Sequence, residues 1–588
     1  MILAAQLEKI ESSGLIRVAQ DDPELEYIFR HALVQDATYE SLLKADRRTL
    51  HQAVGRTLEN LYVGRLDEIA ATLGFHFEKA EDFDKAVSYY IRAGEVAARI
   101  YALNEAMDLF RRALDLIPPS FPREKLIHLY SQYGRVLELA GRFDRVIDLY
   151  EQMRVEGIRR EDLQMELDAL MSRAILHATP SPHHSFAIST ELCERALTIA
   201  ITLNELEAQS RIYWILMLAM TFEGHLEESV SYGEQALEIA RKVGKPEQLA
   251  FILNDITRCY NTSGMRAKGS AANLEARALW KKLDNLPMLT DNLGTCAQYL
   301  FFAGEYRQAI TVAHEAYEIA KSIHNIWAQT FCLMILGFCY GELGEIEQAL
   351  ETNQELLSFD PAQTFAIAQV AIRAHLASIY SGFGDIDTGY RYAQAAVEQA
   401  MGLDFNIVPP ALSGLVYYKL LEEDLAEAES LFAKATEHYN PENFTTFTPQ
   451  YVENARHTLL MYKGEFSAAL DAVDKIISIL NRLEIVFCRP DFLFRKANTL
   501  VALGRYDDAL MILQETASLC ERIENGNILW KVYALMGDLH NQLGHLSEAQ
   551  QAQQKAREAI HFLLDHLPVD LRQSFLQLPE VMKLVEKI

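Results

Sequence analysis

The chain has 588 residues, more than one compact hydrophobic core usually serves. Lys and Arg total 55 against 82 Asp and Glu, a formal charge of -27, and such a field repels phosphate backbones and anionic lipid surfaces. Nucleic acid and membrane are therefore not expected as partners.

Apolar residues make up 50% of the chain, with 28 Gly and only 16 Pro, so a folded chain without long linkers is expected. The seven cysteines (Cys193, Cys259, Cys296, Cys332, Cys339, Cys488 and Cys520) are dispersed, with no CxxC pair. They read as buried small apolar residues in a reducing cytoplasm. The opening MILAAQLEKIESSG carries charge within nine residues and lacks a signal-type apolar run. No uninterrupted apolar stretch approaches the roughly 18 residues of a membrane span.

In chain order, Leu3, Leu7 and Ile10 give a helix closed by Gly14. Residues 15–19 and 25–29 read as two short strands about the turn Asp21–Asp22–Pro23–Glu24. Helices follow over 31–43 and from 45 to about 62, the outline of a winged-helix-like α+β segment over residues 1–66.

From residue 67 to 560 the sequence repeats itself. Turn glycines recur as Gly141-Arg-Phe, Gly224-His-Leu, Gly264-Met-Arg, Gly304-Glu-Tyr, Gly344-Glu-Ile, Gly384-Asp-Ile, Gly464-Glu-Phe, Gly504-Arg-Tyr and Gly544-His-Leu. Between Gly384 and Gly464 the same place holds Glu423–Asp424–Leu425. A glycine there supplies the left-handed backbone that ends a helix. Leu336–Pro361 shows one whole unit: a helix to Tyr340–Glu342, a turn at Gly344, and a second helix from Ile346 to about Ser358. Neither helix can bury its apolar stripe alone, so about twelve such pairs must stack on one another. Two places break the rhythm, at Thr179–Ser185 with its adjacent His183 and His184, and at Leu403–Pro410 followed by Tyr439–Thr445; both read as longer loops. Residues 561–588 read as capping helices in which Phe575, Leu576, Val581 and Leu584 cover the last pair.

Gly74, Phe77, Ala86, Tyr90 and Ala93, and again Gly94, Ala106, Phe110, Ala113 and Pro118, fall at the spacing of the tetratricopeptide consensus, which they resemble. The period of 40 exceeds the standard unit of about 34 and resembles the lengthened repeats of MalT-like sensor regions. FRHALVQDATYESLLKADRRTLHQAVGRTLE (Phe29–Glu59) resembles the segment that follows the nucleotide-binding module in STAND-type ATPases and multidomain adenylate cyclases. Leu567–Val581 resembles the closing segment of such regulators. The resemblance implies an all-α, right-handed superhelical solenoid with a small N-terminal arm, acting as a sensor. It also implies that any missing portion of the protein lies N-terminal to this chain.

No phosphate-cradling GxxxxGK[ST], GxSxG, HExxH or EF-hand pattern is present, so neither an enzyme nor a cofactor is expected. The expected function is a cytoplasmic, non-enzymatic scaffold that takes a protein or peptide partner in a concave groove and couples it to an effector. The alternative is the regulatory C-terminal part of a nucleotide cyclase or STAND ATPase whose catalytic domains lie outside the chain. A DNA reader is the weakest reading, since residues 1–64 hold 7 Lys/Arg against 10 Asp/Glu. Self-association stays open. First helices conventionally face the groove, which makes Tyr213, Trp214, Tyr299, Tyr340, Tyr380 and Tyr417 the candidate ligand-binding residues.

Overall fold

A computed structural model describes residues 2–20, 26–100, 102–179, 183–361, 364–401, 407–437, 439–442 and 448–585. The turn expected at 21–24, and residues 180–182, 402–406 and 443–447 of the expected long loops, lie outside the described residues. The chain divides into two compact units, Met1–Ala169 and Leu170–Ile588. That boundary falls within the repeats, away from the divisions at 66 and 560 drawn from the sequence.

In the first unit, α1 (Ile2–Ser12) leads into an antiparallel hairpin of β1 (Ile16–Gln20) and β2 (Glu26–Phe29), with Ile16 opposite Phe29 and Val18 opposite Tyr27. Helices α2 (Ala32–Ser41) and α3 (Lys44–Leu61) complete the arm, within two residues of the expected limits. Next comes α4 (Ala70–Lys79), and α3 docks on it through Leu58, which packs against Leu73, Phe77 and Ala86. Gly55 allows the approach, because a Cβ there would stand 3.1 Å from the Phe77 ring. The Glu59 carboxylate fixes the rotation of α3 by accepting from Lys85 Nζ (2.6 Å) and Tyr89 Oη (2.5 Å).

Twelve antiparallel helix pairs follow among the described residues. They are α5/α6 (Phe83–Arg99, Leu103–Asp115), α7/α8 (Arg123–Leu139, Phe143–Arg159), α9/α10 (Leu163–Ala178, Phe186–Thr202) and α11/α12 (Leu206–Glu223, Leu226–Val243). Then come α13/α14 (Pro246–Thr262, Arg266–Lys282), α15/α16 (Leu286–Phe302, Tyr306–Ser322), α17/α18 (Ile326–Leu343, Ile346–Leu357) and α19/α20 (Ala366–Gly382, Ile386–Met401). The last four are α21/α22 (Val408–Leu421, Leu425–Ala435), α23/α24 (Thr448–Tyr462, Phe466–Arg482), α25/α26 (Arg489–Ala502, Tyr506–Ile523) and α27/α28 (Gly526–Gln542, Leu546–Asp565). Two short helices, α29 (Val569–Leu576) and α30 (Pro579–Val585), close the described chain.

The turns are left-handed as the glycines require, from Gly141 (φ +66°) to Gly224 and Gly384 (both +90°), and Glu423 adopts the same conformation at +61°. A second left-handed register was not visible in the sequence. It joins one pair to the next, at Asn204, Gly244, Asp284, His324, Glu484 and Glu524, and only one of these is glycine.

Within the Leu170–Ile588 unit, first helices touch first helices in successive pairs (α11 to α13, α13 to α15, and on to α27). Helices brought together on one side of a stack define its concave side, so the first helices line the inner face. Later repeats also pack back on earlier ones along a seam. The backbone N–H groups of Val486 and Phe487 donate to the Phe302 carbonyl at 2.7 and 3.2 Å. The Phe487 ring lies 4.7 Å from Phe301 and 5.2 Å from Phe302. Arg307 spans Glu345 (2.6 Å) and Glu524 (3.3 Å), and Glu347 N–H donates to the His566 carbonyl at 2.9 Å. Phe575 meets Phe383 at 5.2 Å and Trp530 at 5.5 Å. Each buried Phe of this seam contributes on the order of 1.5–3 kcal/mol.

The seam explains α17, whose sequence is apolar all round. Its length and composition would let it cross a membrane, yet 14 of its 18 residues are buried, among α15, α16, α18, α19 and α27. At the C-terminal end Phe575, Val581 and Leu584 are buried, whereas Leu576 is 38% exposed.

Candidate functional site

The six aromatic residues drawn from the sequence do not form one site. Tyr213 stacks on Tyr232 of its own pair and packs on Ala236, Ala240 and Ile252. Tyr340 reaches His314 on the preceding second helix, Oη to Nε2 at 3.1 Å. Tyr380 stacks on Tyr392 of its partner helix at 5.6 Å. Tyr417 is 39% exposed and lies edge-on to Tyr418. Of the six, only Trp214 on α11 and Tyr299 on α15 meet a common set of polar groups, and those groups lie on α13 and α15.

Trp214 Nε1 donates to Asp255 Oδ2 at 2.8 Å, bridging α11 and α13. Asn254 Nδ2 donates to Asp291 Oδ2 at 2.7 Å, bridging α13 and α15. Asn292 Nδ2 then donates to Asn254 Oδ1 (3.1 Å), and Arg277 Nε donates to Asn292 Oδ1 (3.2 Å), so the network is anchored outward on α14. The Arg258 guanidinium acts on Tyr299, Asp255 and Asp291 together. The Tyr299 hydroxyl lies against Arg258, yet it closes no hydrogen bond of normal geometry among the described residues.

Asp255, Arg258, Asp291 and Tyr299 all keep partial solvent exposure. Protein nonetheless surrounds Asp255, and that desolvation pushes its carboxyl up to about 6; Arg258 opposes the rise and Asp291 adds to it. The Tyr299 hydroxyl is pushed above its usual range, again by burial first. The result is a partly open inner surface with an aromatic edge, two carboxyl groups and one guanidinium, while the Tyr299 hydroxyl is itself covered. It offers donors and acceptors side by side and holds no activated nucleophile.

Asp255, Arg258 and Asp291 were missed at the level of sequence, although a signal exists for Asp291. The column Phe251, Asp291, Phe331, Ala371, Ala411, Tyr451, Asp491 and Lys531 recurs every 40 residues on first helices. Its charged members stand out only once that column is known to face inward.

Residues 280–516 match the family described as MalT-like TPR region, and residues 492–560 match the family described as tetratricopeptide repeat. Over residues 280–560 the helix pairs are therefore tetratricopeptide-like, and over 280–516 they are MalT-like. A comparison with curated proteins finds no match. Among solved structures it is similar to a chain of the APC/C hetero-tetramer Cut9-Hcn1, at 13% identity and a TM-score of 0.45, over 85% of this chain and 94% of that one. It is also similar to a Rap protein complexed with competence and sporulation factor, at 13% identity and a TM-score of 0.39, over 76% of this chain and 100% of that one. A third is a STAND protein with a tetratricopeptide repeat sensor from Pyrococcus horikoshii, at 14% identity and a TM-score of 0.36, over 77% of this chain and 60% of that one. Identities this low leave the ligand of the tetratricopeptide solenoid to be argued from its own residues.

Proposed function

We propose that the tetratricopeptide solenoid is a non-enzymatic sensor, and that the inner face of the Leu170–Ile588 unit receives a peptide segment of a partner protein. The observation that carries this reading is the group formed by Trp214, Asp255, Arg258, Asp291 and Tyr299. A peptide backbone presents N–H and C=O groups in alternation, and a surface with carboxyl acceptors beside a guanidinium donor can meet both. The aromatic edge supplies apolar contact area with little rotamer entropy to lose. Binding that favours one curvature of the stack shifts its population, which is how a sensor of this kind drives an effector.

The test is to select peptides from a random library against the full chain and to titrate the winners. Asp255→Asn and Arg258→Ala should each weaken binding at least tenfold, while Tyr213→Ala, within its own helix pair, leaves it unchanged. Equal affinity in all three variants rules out this face.

A second reading, regulatory part of a STAND ATPase or nucleotide cyclase, draws on the arm. There Leu33 is 82% exposed, Leu43 72% and Val63 76%, the kind of surface that another domain covers. Adding a STAND nucleotide-binding domain in trans and finding no protection of these residues from exchange would remove that support.

A further inference from the structure

We propose that the seam closing the Leu170–Ile588 unit is a proton-linked latch, its catch being the Glu342 carboxyl held by Asn525 across 183 residues of chain. The latch itself is argued from packing; only its use, to regulate the inner face, rests on the function proposed above.

Glu342 sits in the last turn of α17, and its Oε2 accepts from Asn525 Nδ2 at 2.6 Å. Asn525 is 1% exposed and has a second task, since its Oδ1 accepts from Ile528 N–H and caps α27. One amide therefore both starts a helix of the later repeats and holds a carboxyl of the earlier ones. Its neighbour Gly526 is equally tight, for a Cβ there would stand 2.4 Å from the Leu343 carbonyl oxygen. The catch thus lies at one of the close backbone approaches of the seam.

The surroundings of the carboxyl decide its charge. The charged group acting on Glu342 is Asp491 of α25, another carboxyl. The other titratable groups around it are the hydroxyls of Tyr306 at the start of α16 and Tyr451 on α23, and the thiols of Cys339, Cys488 and Cys520. Arg495 and Lys531 act on Asp491 and not on Glu342. Nearby Glu345 is occupied by Arg307, and His375 of α19 lies beside Gly341. A carboxylate facing a second carboxylate with a single amide donor is poorly solvated. Burial, and then Asp491, accordingly raise the Glu342 carboxyl well above its usual range; burial raises Asp491 as well, and Arg495 and Lys531 oppose that rise.

The sign follows. A carboxyl whose folded value is raised favours the closed seam while it is neutral, and that contribution is lost as pH rises through the raised value. Glu342 keeps partial solvent exposure, so protons exchange without unfolding. Closing the catch takes up one proton, and opening it releases one to water.

The experiment is hydrogen–deuterium exchange on the full chain from about pH 6 to 9, corrected for the intrinsic rate. Segments 300–308, 340–348, 483–490 and 522–530 should lose protection together by at least tenfold as pH rises, while segment 460–470 does not. Glu342→Gln, a neutral isostere that keeps an acceptor for Asn525, should hold the seam protected throughout. Asn525→Asp, which adds a third carboxyl, should shift the loss to lower pH; circular dichroism checks that both variants remain helical. Protection independent of pH in the wild type, or an unchanged pH dependence in Glu342→Gln, overturns the latch. Loss of peptide binding in Arg258→Ala bears on the proposed function and leaves the latch to be judged by exchange alone.

Discussion

Gly264 and Gly504 form a matched pair that isolates the strength of the seam. Both are turn glycines with φ of +72°, but a Cβ on Gly264 would stand 2.5 Å from the Arg482 carbonyl oxygen, whereas nothing lies within 4 Å of one on Gly504. Alanine in the left-handed conformation costs about 1–2 kcal/mol, of which about 0.4–1 is offset by the stiffer unfolded chain. That net loss, on the order of 1 kcal/mol, is common to Gly264→Ala and Gly504→Ala. Gly264→Ala also forces two backbones apart, and overpacking of this kind adds about 1–3 kcal/mol. The neighbour is main chain and cannot rotate away, so the upper half of that range applies. A chain of this size does not unfold in one step, so the readout is local exchange at residues 483–487. Gly264→Ala should speed it by about 30–150-fold relative to Gly504→Ala, as an extra 2–3 kcal/mol requires. Equal exchange at 483–487 in the two variants would refute the claim that the seam is held by this close packing.

The arm carries its own pH response. His51 and His76 share a hydrogen bond, Nδ1 to Nδ1 at 2.9 Å, and Tyr39 Oη meets His51 Nε2 at 3.0 Å. Burial lowers both imidazoles, with Lys79 adding to the effect at His51 and His51 adding to it at His76. A histidine lowered by folding contributes fully above its unfolded value near 6.5, and the contribution is lost as pH falls below it. Exchange over α2 and α3 should therefore rise between about pH 7.5 and 5.5, and His51→Gln should flatten the response; a profile unchanged by His51→Gln contradicts this. Glu423→Gly places the conformationally free residue where φ is already +61° and should stabilise the α21/α22 turn by about 0.5–1 kcal/mol, read as slower exchange over α21 and α22.

The ladder itself was legible because its information is local. Each turn glycine lies one helix length from the next break, and the 40-residue period set the turns within pairs, such as Leu343–Gly344–Glu345, which the structure places between α17 and α18. Glu423–Asp424–Leu425 was readable by register alone, although its first residue pays the left-handed strain that glycine would avoid. The joints between pairs were not readable, since Asp284, His324, Glu484 and Glu524 take that conformation without the residue that signals it.

The seam and the inner polar group were hidden for a different reason. Phe302 and Phe487 are 185 residues apart, and no periodicity within one repeat says which later repeat will face it. That pairing depends on how much each step rotates, a small angle accumulated over several pairs, and side-chain pattern constrains it weakly. α17 shows the consequence. Its uniform apolarity fits a membrane span or a helix enclosed on all sides, and only the return of α27 onto it decides between them. The charges at Glu342, Asp491 and Lys531 look like ordinary solvated positions until the same return encloses them. In a repeat protein, then, residues that break the apolar pattern on first helices mark the places where distant repeats meet or where a ligand can bind. Asp255 with Arg258 and Glu342 with Asp491 are two such places among the described residues.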